Sequence, residues 1–363
     1  MPQFHKASSR LSVSIGPAAA GLALAALAVG PAQAQPTYSI DVQGPTHGML
    51  SSTAPFAPIG GGDVLVPNAG TPGTPLTSFA LGILPSASGL VEVDALSYGH
   101  DPLIPAVGGP TILFSVDEFS RGIGGGAPTV FSEGFAGNQE ASADIFARLV
   151  PGPGNFGVTD GNGVAPFGGP TMTLVEPNPP TFGLPDPGDN VDAIACNVGF
   201  NKVYFSLDAH WGDPLEGGPI NTGTALANGF LPGDVLVSSP GGAPALWAPA
   251  AALGLSAEDD LDALILHDNG NGVYNPSNTP YDWMGGGTDM LLFSVRRTSV
   301  LIGQVDSLIG RQIEEGDILT VTAAGPGILF PAESLRLRTV RGFGPGPFGH
   351  GDELDGLSVP PCP

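Results

Sequence analysis

The sequence predicts an all-β protein built as a four-fold repeat and closed into a β-propeller-like ring. Three observations carry this expectation. Short signatures recur four times in constant order, turn-forming residues are abundant, and the first segment of the chain supplies a strand that the last copy lacks. Glycine and proline account for 56 and 39 of 363 residues, a balance that favours short strands joined by many turns. Val, Ile, Leu and Phe recur in ordered blocks, so the apolar content is organised for a packed core.

The first signature is an aromatic-Ser-aliphatic-Asp strand: Tyr38-Ser39-Ile40-Asp41, Phe114-Ser115-Val116-Asp117, Phe205-Ser206-Leu207-Asp208 and Phe293-Ser294-Val295-Arg296. The fourth copy carries Arg296 in place of its aspartate. The second is Gly/Ala-Asp leading an apolar strand, at Asp63, Asp144, Asp234 and Asp317, so that units begin near residues 62, 143, 233 and 316. The third is an acidic lead-in to an aliphatic-Asp-Ala-aliphatic strand, at Asp94, Asp192, Asp262 and Asp355. A weaker fourth element runs through Ser78–Ile83 and Leu246–Leu255, with Thr181–Leu184 and Ile328–Phe330 in the same slot. Ala248–Leu255 is the one stretch that reads as a helical turn. Fixed-order repetition of this kind is the mark of a repeat architecture, and the short apolar runs bounded by Gly, Pro, Asn and Asp read as strands.

Counted from the Gly-Asp strand, the last unit lacks its closing strand, and residues 38–42 can supply it. A ring closed in this way removes exposed sheet edges. Residues 35–363 therefore form one repeat domain of four large blades. Eight smaller blades, an open β-solenoid and paired β-sandwiches are the alternatives. The Phe-Ser-Val-Asp, Asp-Ile-Leu and Asp-Ala-Leu combination resembles a repeat of uncharacterised secreted bacterial proteins; the resemblance implies a propeller-like fold and no particular reaction or ligand.

Residues 1–34 read as a signal peptide. His5, Lys6 and Arg10 precede an apolar run from Ala18 to Val29, and Ala32-Gln33-Ala34 supplies a small-x-small cleavage site. The run is short for a bilayer span, so the expectation is a secreted, extracellular or periplasmic protein with no membrane span. The formal net charge is −23, and about −25 once Lys6 and Arg10 depart with the leader. Such a surface repels nucleic acid. The cysteines, Cys196 and Cys362, are expected to be able to pair in an oxidising compartment.

The aspartates at 63, 144, 234 and 317, which recur once per unit, read as scaffold: each carboxylate caps a turn. The same reading is extended to Asp94, Asp192, Asp262 and Asp355. Calcium is the one cofactor the sequence suggests, in the loops Asp268-Asn269-Gly270-Asn271 and Asp160-Gly161-Asn162, where side-chain oxygens alternate with glycine; an Asn-Gly turn is the plainer reading of both. His100, His210 and His267 lie in unequal loops, and with neighbouring aspartates they would form a ligand or acid–base cluster if those loops open on one face. Trp211 and Trp283, beside Asp213 and Asp282, have the makings of a carbohydrate-stacking surface, whereas Trp247 falls in a repeated apolar slot and reads as core. The functional expectation is a non-enzymatic binding or structural protein with an extracellular glycan or envelope component as partner. The competing expectation is an extracellular hydrolase or lyase with a His/Asp site on one face of the ring.

Overall fold

The computed structural model describes residues 35–54, 56–84, 91–99, 112–117, 120–124, 126, 128–134, 141–148, 153–164, 169–175, 188–197, 202–208, 223–239, 241–344 and 349–359. Among them are sixteen strands. In chain order these are β1 (Thr37–Tyr38), β2 (Val64–Val66), β3 (Gly73–Leu76), β4 (Ala95–Ser97), β5 (Leu113–Ser115), β6 (Ile145–Arg148), β7 (Asn155–Thr159) and β8 (Val191–Asn197). There follow β9 (Lys202–Leu207), β10 (Val235–Ser238), β11 (Ala245–Ala248), β12 (Leu261–His267), β13 (Met290–Val295), β14 (Ile318–Thr320), β15 (Gly327–Phe330) and β16 (Leu357–Ser358).

They form four antiparallel sheets of four strands, in the orders β16-β1-β2-β3, β4-β5-β6-β7, β8-β9-β10-β11 and β12-β13-β14-β15. The protein is a four-bladed β-propeller. The third signature supplies the innermost strand of every blade, and β4, β8, β12 and β16 pack against one another around the axis. Blade 1 takes its inner strand from the C-terminus and its other three from the N-terminus. Thr37 pairs with Ser358 and Tyr38 with Leu357, which closes the ring by joining the ends of the chain, as expected.

Strand pleating puts alternate residues of each inner strand on opposite sheet faces, and each face enters a different inter-blade core. Leu264 and Leu266 pack between blades 3 and 4 with Tyr204 and Phe293. Ala263 and Ile265 pack between blades 4 and 1 with Tyr38 and Leu354. Corresponding clusters fill the junctions between blades 2 and 3, around Phe205, and between blades 1 and 2, around Phe114 and Phe146. The signature aromatics Tyr38, Phe114, Phe205 and Phe293 are fully buried. The alanine of the Asp-Ala motif becomes Gly356 in the last copy because space is short there: a Cβ would stand 2.4 Å from Ser39 Oγ and 3.1 Å from Leu96 Cβ.

The second-signature aspartates have one repeated job. Asp234 accepts from the backbone N–H of Leu231 (2.8 Å) with one oxygen and from that of Ala250 (2.7 Å) with the other. Asp63 does the same with Gly60 and Ser78, and Asp317 with Glu314 and Ala332. Asp144 takes the N–H of Gly161. Each carboxylate thus ties the turn before the third strand to the segment beyond the fourth. We predict that Asp234→Ala costs about 1–3 kcal/mol, the penalty for leaving buried N–H groups unpaired, measured by urea unfolding. A loss within the ordinary surface range of about 0.5 kcal/mol would show the bridge carries no weight.

The fourth sequence element is corrected in part. Ser78–Leu81 is not a strand but a short helix, α1, and Ala250–Leu253 is the corresponding turn, numbered α4 after α2 (Val130–Glu133) and α3 (Gly223–Asn228). Both follow the fourth strand of their blade. Thr77 and Pro249 stand at their N-caps, and Gly82 and Gly254 end them in left-handed backbone at φ 78° and 81°. In blade 2 the fourth strand is Asn155–Thr159, while Thr181–Leu184 lies outside the described residues. Short apolar runs do not distinguish a strand from a single helical turn.

Candidate functional site

The inner strands run in one direction, so their starts gather at one end of the axis. Asp94, Asp192, Asp262 and Asp355 sit there. The ladder register shifts across Asp192 in β8 and across Asp262 in β12, and the pairing of β4 begins one residue after Asp94. Irregularities of this kind re-aim a side chain out of the pleat. The serine of the first signature holds the residue just before each of three of these aspartates. Ser115 Oγ donates to Val191 O (2.7 Å), Ser206 Oγ to Leu261 O (2.9 Å) and Ser294 Oγ to Leu354 O (2.8 Å). Every one of these bonds runs from one blade to the inner strand of the next.

The four aspartates are 5–7 % exposed, and in each one carboxylate oxygen, Oδ2, is buried without a hydrogen-bond partner. This corrects the sequence expectation for them, since they do not cap turns. Around them stand the lead-in residues Glu92, Asp260 and Glu353 and the first-signature aspartates Asp117 and Asp208. Burial, reinforced by mutual repulsion, holds the carboxyls of Asp94, Asp192, Asp262 and Asp355 well above the ordinary range. For Asp192 the repelling neighbours are Asp262, Asp260 and Asp208; for Asp355 they are Glu92, Glu353, Asp94 and Asp192.

Arg296, the odd member of the first signature, is the cation inside this group. Its guanidinium bonds Asp208 and lies 3.6 Å from Asp260. Burial works against its charge, but the surrounding carboxylates outweigh that and hold it firmly protonated. Carboxylate oxygens of Asp192, Asp208 and Asp260 all lie within 4.8 Å of one another. At the other end of the inner strands the axis narrows to a cavity of about 10 Å³ lined by Ser97, Ala195, Leu264, Ile265, Leu266, Ser358 and Val359. We refer to the carboxylate-lined end of the axis as the acidic well.

A larger cleft opens on the acidic side. Its volume is about 380 Å³, and its walls are Ile302, Ile313 and Val340 with Arg297, Glu314, Glu315, Gln312 and His350. Arg297 pairs with Glu353 and Asp41 at the rim of the well, and His350 Nε2 lies 3.3 Å from Arg297.

His100, His210, Trp211 and Cys362 lie outside the described residues, which leaves the pairing of Cys362 with the buried Cys196 outside them too. His267 ends β12, at the opposite end of the axis from the well and from His350. Trp283 is 4 % exposed and packs on Tyr281 at 5.3 Å between ring centroids; its ring is core and offers no stacking surface. Trp247 is core as expected, against Tyr204 and Tyr274.

The two glycine loops are turns. Asp268 accepts from Tyr204 Oη, Lys202 Nζ and Gly270 N; although burial opposes it, these bonds hold its carboxyl below the ordinary range. Asn269 and Asn271 accept from the N–H groups of Asn271 and Val273. Asp160 and Asn162 accept from Gly163 and Val164 in the same manner. Asn269, Asn271, Asp160 and Asn162 thus accept from N–H groups of their own loops, while Asp268 also binds Tyr204 and Lys202.

Comparison with protein-family models, with curated proteins and with solved structures finds no match. The chemistry of the well and the cleft is what bears on function.

Proposed function

We propose that this is an exported, non-enzymatic propeller that binds a polyhydroxylated ligand, such as an extracellular or envelope glycan, in the cleft beside the acidic well. The observation that carries the reading is the cleft itself. Its volume is of ligand size, and its Ile302, Ile313 and Val340 wall faces a rim of Arg297, Glu315 and His350. An apolar wall with convergent polar groups suits a sugar, which presents C–H faces and hydroxyls together. Residues 1–34, with their apolar run and small-x-small site, support export. The abundance of carboxylates at a ring face suits a scaffold working in a saline exterior.

The test is a thermal-shift and calorimetric screen of the mature chain against neutral and acidic oligosaccharides, followed by His350→Ala. Binding to the folded state raises the unfolding temperature, and His350→Ala is expected to weaken a ligand that shifts the wild type by about tenfold, the loss of one or two polar contacts. Absence of a shift with any glycan would defeat the reading. Release of new reducing ends during incubation would replace it with the hydrolase.

A further inference from the structure

We infer that the axial well is a divalent-cation site for calcium, built on Asp192, Asp208 and Asp260 with Asp262 beside them. The site lies at the opposite end of the axis from the Asp268 loop, and it does not depend on the cleft's ligand.

Two independent observations meet here. The first is geometry: oxygens from Asp192, Asp208 and Asp260 lie within 4.8 Å of one another, the span that one ion with oxygen bonds of about 2.4 Å bridges. The second is unsatisfied capacity. Oδ2 of Asp192 and Oδ2 of Asp262 are buried with no hydrogen-bond partner, as are those of Asp94 and Asp355 across the ring. A buried polar atom without a partner is costly, and a fold that repeats the cost four times around one axis has a reason to do so. Register shifts turn Asp192 and Asp262 out of the pleat, and the serines hold the preceding carbonyls. The arrangement is therefore preorganised, as a cation site requires.

Arg296 does not make the ion redundant. One guanidinium reaches Asp208 and Asp260 from one side; the free oxygens of Asp192 and Asp262 remain. All the donors are carboxylate oxygens, and several carboxylates around a hard cation that accepts six to eight ligands favour calcium over softer metals.

The experiment uses the mature chain, stripped with chelator and titrated with CaCl₂ by calorimetry, with MgCl₂ and ZnCl₂ in parallel. The expected result is one calcium per chain and a raised unfolding temperature. Asp192→Asn is expected to weaken calcium by at least about tenfold, since even second-layer partners of a metal are worth 10–100-fold. Asp262→Asn is carried alongside in case one variant fails to fold, and the circular dichroism of both is checked. Asp268→Asn should leave the affinity unchanged. The inference is overturned if no ion binds at millimolar concentration, if both axial variants bind as the wild type does, or if Asp268→Asn alone abolishes binding. Loss of glycan binding with calcium binding intact would count against the proposed cleft and leave the well standing.

Discussion

Removal of the chain beyond His350 is expected to abolish the cooperative fold. The missing segment contains β16, the inner strand of blade 1, with Leu354 and Leu357 at 0 % and 1 % exposure. Each buried leucine is worth about 2–5 kcal/mol when truncated to alanine, and a whole domain is stable by only about 5–15 kcal/mol. The loss extends further. Thr46 loses Asp352, which accepts from its N–H and hydroxyl. Arg297 loses Glu353, Ser294 loses its acceptor at Leu354, and β1 keeps only β2 as a partner. The truncated protein should elute as aggregate in size-exclusion chromatography and show no sharp thermal transition. A monomer melting within about 2 °C of the intact chain, equivalent to about 1–2 kcal/mol in a domain of this size, would mean that the ring does not need its closure.

The second large effect is expected at Arg296. Replacement by methionine leaves Asp208 and Asp260 buried without their cation, and breaking a buried pair in this way costs about 3–5 kcal/mol. The loss should be greatest at neutral pH in chelator and smaller at pH 5, where the orphaned carboxylates take up protons. The wild type in chelator should show the same sign more weakly. Asp94, Asp192, Asp262 and Asp355 have folded-state values raised well above 3.8. The folded protein therefore holds protons that the unfolded chain releases, and stability falls as pH rises from about 4 through the folded-state values. Asp268 and Asp306, whose values are lowered, act oppositely, but their contribution is lost only as pH falls below the unfolded value. Urea unfolding of both proteins at pH 5 and 7.5 measures this. A cost under about 1 kcal/mol at pH 7.5, typical of an exposed pair, would show that Arg296 is not the counterion of the well.

The fold was legible because the repeat exposes it. Four copies of an aromatic-Ser strand and of an Asp-Ala/Gly-aliphatic strand in constant order announce four equivalent sheets, and an unpaired strand at each end announces a closed ring. Asp63, Asp234 and Asp317 were legible as scaffold, since Asp after a turn glycine has a local job that sequence neighbours reveal. Asp192 and Asp262 look the same in the sequence, yet the neighbours that weigh most on them, Asp262 for Asp192 and Glu353 for Asp262, belong to the next blade. Their role depends on a bulge that turns the side chain to the axis, and nothing local distinguishes a capping aspartate from one aimed at its counterparts. One signal was available: Arg296 replaces an aspartate in an otherwise constant motif, and an arginine substituted into a ring of acids marks where those acids converge. Trp283 misled for the converse reason, because a tryptophan in a polar, glycine-rich stretch of sequence is here folded inward onto Tyr281.

The serine bonds between blades give the ring a direction. Ser115, Ser206 and Ser294 each fasten their own blade to the one that follows, so no unit contains both halves of its own fastening. A single unit cut from the chain would carry a donor and an acceptor that cannot meet, which makes the circle, and not the blade, the smallest self-sufficient object. Ser39 breaks the pattern, as its hydroxyl is buried without a partner. Three junctions carry the serine fastening, and the one between blades 1 and 2 is held by other bonds: Glu92 accepts from the N–H of Val42, Ser358 from that of Tyr98, and Leu81 O from Asn155 Nδ2.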